Sequence, residues 1–188
     1  DRYELRVKSP SITPGYYGDP EATAKAFDEE GFYKMGDAIR PEDPKDLSRG
    51  FYFDGRLAEN FKLNTGTWVS VGAVRTALVD SLAGVVRDAI IVGEDQAELG
   101  ALVWLAEAAS SLSAEALTAR LQAGLEAHVR TATGSARRVR RITVLQDPPS
   151  FDRGEVTEKG SINQRALRHA RRAQVDTLYA GGPGVIYC

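Results

Sequence analysis

Four short stretches of the sequence set a charged side chain near a glycine where a strand pattern breaks. They are Gly36-Asp37 in GFYKMGD, Gly55-Arg56 in GFYFDGR, Lys62 ahead of the Thr65-Gly66-Thr67 turn, and Lys159 in RGEVTEKGSI. A carboxylate held at a strand end can accept hydrogen bonds from both hydroxyls of a vicinal diol, which is the chemistry of holding a ribose. An Arg in the same setting presents a planar fork to phosphate or ribose oxygens, each charge-assisted contact being worth about 1.5–3 kcal/mol. Lys62 and its turn add a cation and a flexible backbone beside a candidate ligand channel. Lys159, flanked by Gly154 and Gly160, is placed to enter a closed site, where its charge offsets negative charge growing on a carboxylate and a phosphate. Each pattern also occurs in ordinary turns and hairpins, so none is decisive alone.

Arg137, Arg138, Arg140 and Arg141 make a local basic patch, read either as solvated charge at a strand edge or as a docking site for a phosphorylated ligand. The formal net charge of -2 exerts no general pull on nucleic acid or acidic membranes, and neither is an expected partner. The lone Cys188 cannot form an internal disulfide or a Cys-based zinc site, and it fits a reducing compartment. His128 and His169 read as exposed helix histidines, and no metal site is expected. No window approaches the ~18–20 apolar residues of a membrane span, and DRYELRVKSP lacks the apolar core of a signal peptide. A cytoplasmic protein is therefore expected.

The elements that position these residues follow from periodicity. Tyr3, Leu5 and Val7 alternate with charged neighbours, as in a half-buried strand. Asp19 and Pro20 offer an N-cap and first position for a short helix from about Pro20 to Phe27. GFYKMGDAIR and GFYFDGR read as aromatic strands around the loop RPEDPKDLS, completing a small β-subdomain near Arg56. Beyond it, VGAVRTALVDSL is helical, VVRDAIIVG and LGALVWLAE are strands, and SAEALTARLQAGLEAHVR is a helix capped by Ser113. Arg141 to Leu145 reads as a strand, DPPSFDRGEVTEKGS as a loop, and INQRALRHARRAQVDTLYA as one basic amphipathic helix. The fold class expected is α+β: a small β-subdomain over residues 1–57, then a compact α+β domain over 58–188 with a small sheet and packed helices.

In order and spacing these pieces resemble the carboxyl-terminal part of the adenylate-forming enzymes, the AMP-binding superfamily of acyl-CoA synthetases, peptide-synthetase adenylation domains and luciferases. YELRVKSPSITPGYYGDPEAT matches that family's strand, Gly-Tyr and Pro-Glu-x-Thr helix, with Tyr3 where Gly is usual. YKMGD matches Tyr-x-x-Gly-Asp, and GRLAENFKLNTG matches Gly-Arg followed by a Lys and a Gly. Within the family, DGRLAENFKLNTGTWVSVG and GEVTEKGSINQRAL look most like the feruloyl-CoA synthases. The resemblance implies that residues 1–57 end the large adenylation domain and that 58–188 form its mobile C-terminal domain. It carries Asp37 onto the ribose hydroxyls, Arg56 onto the ribose and phosphate region, and Lys159 into the adenylation half-reaction. Ala58 falls at the hinge, where Asp or Lys is usual, and Gly66, Thr67 and Trp68 fall at the CoA or pantetheine channel. The usual Glu after the Gly-x-x-Val segment is missing from VSVGAVR. The lysine loop is longer and more acidic than the common Pro-x-x-x-x-Gly-Lys form.

The mechanism implied has two steps. A carboxylate attacks the α-phosphate of Mg-ATP to give acyl-adenylate and pyrophosphate, and the CoA thiol then displaces AMP. ATP, Mg2+ and CoA are the expected cofactors, an aromatic acid the expected substrate and the missing N-terminal domain the expected partner. The phosphate loop, the acyl pocket and the Mg2+ ligands are not found in these residues, so the chain alone is expected to be inactive. One alternative is an adenylation domain serving a carrier protein or a carboxylate reductase; that needs a carrier domain downstream, and AGGPGVIYC shows no sign of one. Another is a non-catalytic module that docks phosphorylated ligands or a partner through the basic patch and the last helix.

Overall fold

The computed structural model describes residues 2–188. The chain divides into two compact units, the first ending at Ala58 and the second spanning Glu59–Cys188; the division falls one residue beyond the boundary expected from the sequence.

The first unit contains β1 (Tyr3–Val7), α1 (Pro20–Ala26), β2 (Tyr33–Pro41) and β3 (Phe51–Arg56). The strands form an antiparallel sheet in the order β1-β2-β3. Helix α1 starts where its sequence dictates: the Asp19 carboxylate accepts from the Ala22 amide at 2.8 Å, and Pro20 has no amide hydrogen to satisfy. Ala38 and Pro41 are the buried side chains of the strands, whereas Tyr3, Phe51, Tyr52 and Phe53 stand largely in the open.

The second unit follows a 3-10 turn at Leu57–Glu59. Its elements are the two-residue strands β4 (Phe61–Lys62) and β5 (Trp68–Val69), α2 (Val71–Ser81), β6 (Val86–Val92), β7 (Leu99–Leu105), α3 (Ala114–Thr131), β8 (Val139–Val144), α4 (Gln164–Ala170), α5 (Arg172–Tyr179) and β9 (Ile186–Tyr187). The main sheet runs β6-β7-β8-β9, with β7 and β8 parallel and the other pairs antiparallel. A parallel pair needs a crossover, and α3 lies within it. Successive residues of β6 point to opposite faces, and both faces are covered. Ala89 and Ile91 belong to the core built with Val74 and Leu78 of α2 and Leu121 and Leu125 of α3. Ile90 and Val92 belong to the core built with Leu167 of α4 and Leu178 of α5. Burial on both faces explains why β6 and β7 read as apolar runs and not as alternating strands. Arg75 of α2 grips Asp88 of β6 through two contacts of 2.6 and 2.7 Å.

The structure departs from the sequence expectation in four places. The C-terminal helix is two, broken at Arg171 (φ -102, ψ 26), whose guanidinium turns inward to the Glu155 carboxylate at 3.2 Å. The loop after β8 contains a small hairpin, closed by a bridge between Val156 and Ile162. Strand β9 was not anticipated. His128 is buried, not exposed, with Nε2 3.1 Å from the Arg137 carbonyl oxygen and 3.2 Å from the Val139 amide nitrogen. Its position was legible, because Leu121, Leu125 and His128 share one helical stripe. His169 is exposed as expected. Among the described residues no helix is long and apolar enough to cross a membrane.

Candidate functional site

Asp37 lies on β2 directly opposite Arg56, the last residue of β3. Bulges flank it on both sides. Against β3 the register shifts between Asp37 and Ile39, so that Asp54 and Gly55 together face Ala38, and Gly55 takes φ 89. Against β1 it shifts between Glu4 and Arg6, and Gly36 takes φ 72 in the extra residues. Left-handed φ at these two positions is what makes glycine the fitting residue, and paired bulges re-aim the intervening side chain. Asp37 Oδ1 lies 3.1 Å from an Arg56 terminal nitrogen. The geometry is a charge contact and not an aligned hydrogen bond, so this buried oxygen has no hydrogen-bond donor among the described residues. The Arg56 side chain is 60% exposed while that of Asp37 is 16% exposed. The pair thus combines a shielded acceptor with an open guanidinium fork, which fits a diol beside a phosphate.

Gly66 sits at the tip of the β4–β5 hairpin. Its amide donates to the Leu63 carbonyl at 2.9 Å, Leu63 donates to Thr67 at 3.0 Å, and the Thr65 and Thr67 hydroxyls meet at 2.9 Å. A Cβ at Gly66 would meet nothing within 4 Å, so inside this unit the residue is required by its φ of 78 and not by crowding. Trp68 is exposed, with the Lys62 ammonium 5.0 Å from its ring centroid. The hairpin is fastened to the β6–β7 turn, where Asn64 donates to Gln96 at 3.0 Å and Asp95 to Lys62 at 3.1 Å.

Lys159 is exposed at the tip of the second hairpin. Thr157, Glu158, Lys159 and Gly160 form a tight turn in which the Gly160 amide donates to Thr157 at 2.8 Å and Thr157 donates to Ser161 at 2.8 Å. Below the tip, Glu155 is 1% exposed. Its carboxylate accepts from the Ser150 amide at 2.7 Å and from Arg153 and Arg171 at 3.2 Å. Burial alone would raise its pKa; hydrogen bonds from Arg153 and Ser150, and the Arg171 charge, hold it below the ordinary glutamate value. The sequence singled out Lys159 but not Glu155, Arg171 or Gln164.

The basic patch is largely committed within the unit. Arg141 pairs with Glu98, stacks over Tyr179 and Tyr187 at 4.9 and 5.1 Å, and donates to the Tyr179 carbonyl at 3.2 Å. Arg140 lies 3.6 Å from the same Glu98, and Arg138 donates to the Ala132 carbonyl at 3.0 Å. Among the described residues there is no group of three or more His, Cys, Asp or Glu side chains that could hold a metal ion.

The fold of the chain matches that of the C-terminal part of adenylate-forming enzymes. Residues 61–182 match the AMP-binding enzyme C-terminal domain, and the chain belongs to that family. Over 181 residues it is 31% identical to a carboxylic acid reductase of Mycobacterium marinum, covering 95% of this chain and 15% of the reductase. The adenylation domain of a carboxylic acid reductase from Segniliparus rugosus, solved with AMP and a co-purified carboxylic acid, superimposes with a TM-score of 0.78 at 28% identity, over 96% of this chain and 28% of that one. An acyl-CoA ligase of Aspergillus oryzae is 44% identical over 61 residues, 32% of this chain and 10% of the ligase. The chain therefore spans a small part of the proteins it matches.

Proposed function

We propose that this chain is the carboxyl-terminal part of an ATP-dependent acid–thiol ligase that activates an aromatic carboxylate as its acyl-adenylate and passes the acyl group to CoA. The observation that carries the reading is Asp37 between its two bulges: a shielded carboxylate oxygen without a hydrogen-bond donor among the described residues, beside an open arginine. Asp37 would accept from the ribose hydroxyls and Arg56 would fork onto ribose or phosphate oxygens. In the adenylation step the acid's oxygen attacks the α-phosphorus and pyrophosphate leaves. Lys159 would offset the charge that accumulates on both partners, and the thousandfold effect such a group exerts corresponds to about 4 kcal/mol. Mg2+ accompanying ATP finds no ligand cluster among the described residues, and no step is assigned to it. In this reading residues 1–57 end the large domain, Ala58 is the hinge for rotation between the two half-reactions, and Gly66, Thr67 and Trp68 line the pantetheine channel. The 188 residues alone would be inactive, since the phosphate loop, the acyl pocket and the Mg2+ ligands are not found among them.

The likeness of GEVTEKGSINQRAL to the feruloyl-CoA synthases supports a hydroxycinnamate-like acid and CoA as acceptor, and the lone Cys188 fits a reducing, cytoplasmic setting. A second reading, in which the acceptor is the pantetheine arm of a carrier protein, draws support from the match to carboxylic acid reductases over 95% of the chain. The complete enzyme, given ATP and a panel of aromatic and aliphatic acids, separates the two. AMP release that depends on both a hydroxycinnamate and CoA supports the ligase, whereas acid-dependent pyrophosphate release indifferent to CoA supports the carrier-linked enzyme. Absence of any acid-dependent turnover would refute both.

A further inference from the structure

The Lys159 hairpin is short, and its exposed tip gains no rigidity from burial. Its two legs are nevertheless anchored in different ways. The outgoing leg carries Glu155, whose backbone amide donates to Ser150 at 3.0 Å and whose carboxylate is enclosed by the Ser150 amide, Arg153 and Arg171. Arg171, with a side chain 7% exposed, reaches Glu155 from the break between α4 and α5 and also donates to the Pro148 carbonyl at 3.2 Å. The returning leg ends at Asn163, whose amide donates to the Glu155 carbonyl at 2.9 Å, and at Gln164. The Gln164 amide closes the free edge of β6: its oxygen accepts from Ile91 at 3.0 Å and its nitrogen donates to Ala89 at 2.8 Å.

A buried carboxylate that closes a hairpin stem is costly to desolvate, and truncating one partner of such a pair leaves the other charged and unpaired. Burying an ion pair here, where an apolar pair would serve stability as well, points to a demand for geometry. We infer that Glu155 and Arg171 are positioning residues for Lys159, fixing the hairpin stem so that the lysine meets the reacting phosphate and carboxylate at the right place. The inference rests on the assignment of Lys159 to the adenylation step. Displacing a positioned charge by about 1 Å is enough to cost roughly a hundredfold in rate.

The test uses the complete enzyme, with two readouts: acid-dependent adenylation, followed as pyrophosphate released, and consumption of supplied acyl-AMP in the presence of the thiol acceptor. Glu155→Gln, which keeps the side-chain volume, should lower adenylation kcat about a hundredfold with the acid and ATP KM values little changed, and should spare acyl-AMP consumption. Glu155→Asp should restore part of the loss. In a Lys159→Ala background Glu155→Gln should cost nothing further, because the residue acts through the lysine. Equal loss of both half-reactions in Glu155→Gln, or an additive loss in the double variant, would overturn the inference as a stability effect. Arg171→Met supplies a second variant for the same comparison should Glu155→Gln fail to fold. If Lys159→Ala slows adenylation while Glu155→Gln and Arg171→Met do not, the positioning role falls and the lysine's role stands. If Lys159→Ala leaves adenylation unchanged, both fall.

Discussion

Asp37 is aimed by its immediate neighbours in sequence, whereas the hairpin that carries Lys159 is held by residues far from it in the chain. The glycines that release the bulges around Asp37 sit at positions 36 and 55, next to the two residues they serve. The Lys159 stem instead depends on Arg171, 16 residues beyond Glu155, and on Gln164, which bonds strand residues 75 and 73 positions earlier. Local backbone geometry thus sets the first site and tertiary packing the second. A substitution near Asp37 should disturb that site alone, while one in the stem should be felt both in chemistry and in the sheet to which the stem is bolted.

The largest effect expected is that of Lys159→Ala, which should slow adenylation about a thousandfold while thioester formation from supplied acyl-AMP persists. Comparing initial rates of the two half-reactions checks this. Asp37→Ala should raise the KM for ATP by roughly ten- to a hundredfold, the worth of one charge-assisted hydrogen bond, with smaller change in the KM for the acid. A parallel rise in both would blur the distinction between a nucleotide site and a general structural role. Gln164→Leu strips two buried backbone groups of their partners and should destabilise the second unit by about 1–3 kcal/mol, read as a lower denaturation midpoint. It should weaken adenylation as well, which a purely local account of Lys159 does not predict.

The smallest effect lies outside both regions. Burial pushes the His128 imidazole below its ordinary value, against smaller opposing contributions from the Arg137 and Ala77 backbone. The unfolded chain therefore takes up a proton near pH 6.5 that the folded unit resists. Stability should be full above that pH and decline as pH falls from about 6.5 toward the lower folded value. Replacing His128 by Leu should flatten that part of the stability profile, measured by urea denaturation between pH 7 and pH 5.

The contrast also explains what was legible in the sequence. Strand and helix patterning located most elements of both units; in the second unit the apolar stripes reflect buried faces, whereas the aromatic residues that marked the strands of the first stand largely in the open. Gly36-Asp37 and Gly55-Arg56 were visible because the residues that bend the backbone adjoin those they aim. The loop around Lys159 was legible only as polar composition, for its stem is anchored by Arg171, at the break between α4 and α5, and by Gln164 of α4, which bonds β6. The same contacts break the expected single helix at Arg171, since a side chain drawn inward to Glu155 does not show in an amphipathic pattern. His128 was misread because histidine's polarity outweighed its place in the stripe of Leu121 and Leu125. The arginines near Arg141 looked like one exposed patch, yet their partners Glu98, Tyr179 and Tyr187 come from other elements of the unit.

The most direct test of the central claim is acid-dependent exchange of labelled pyrophosphate into ATP by the complete enzyme, with no thiol acceptor present. The account predicts exchange that requires a carboxylic acid and falls about a thousandfold in Lys159→Ala. Exchange that proceeds without any acid, or at an unchanged rate in Lys159→Ala, would contradict it.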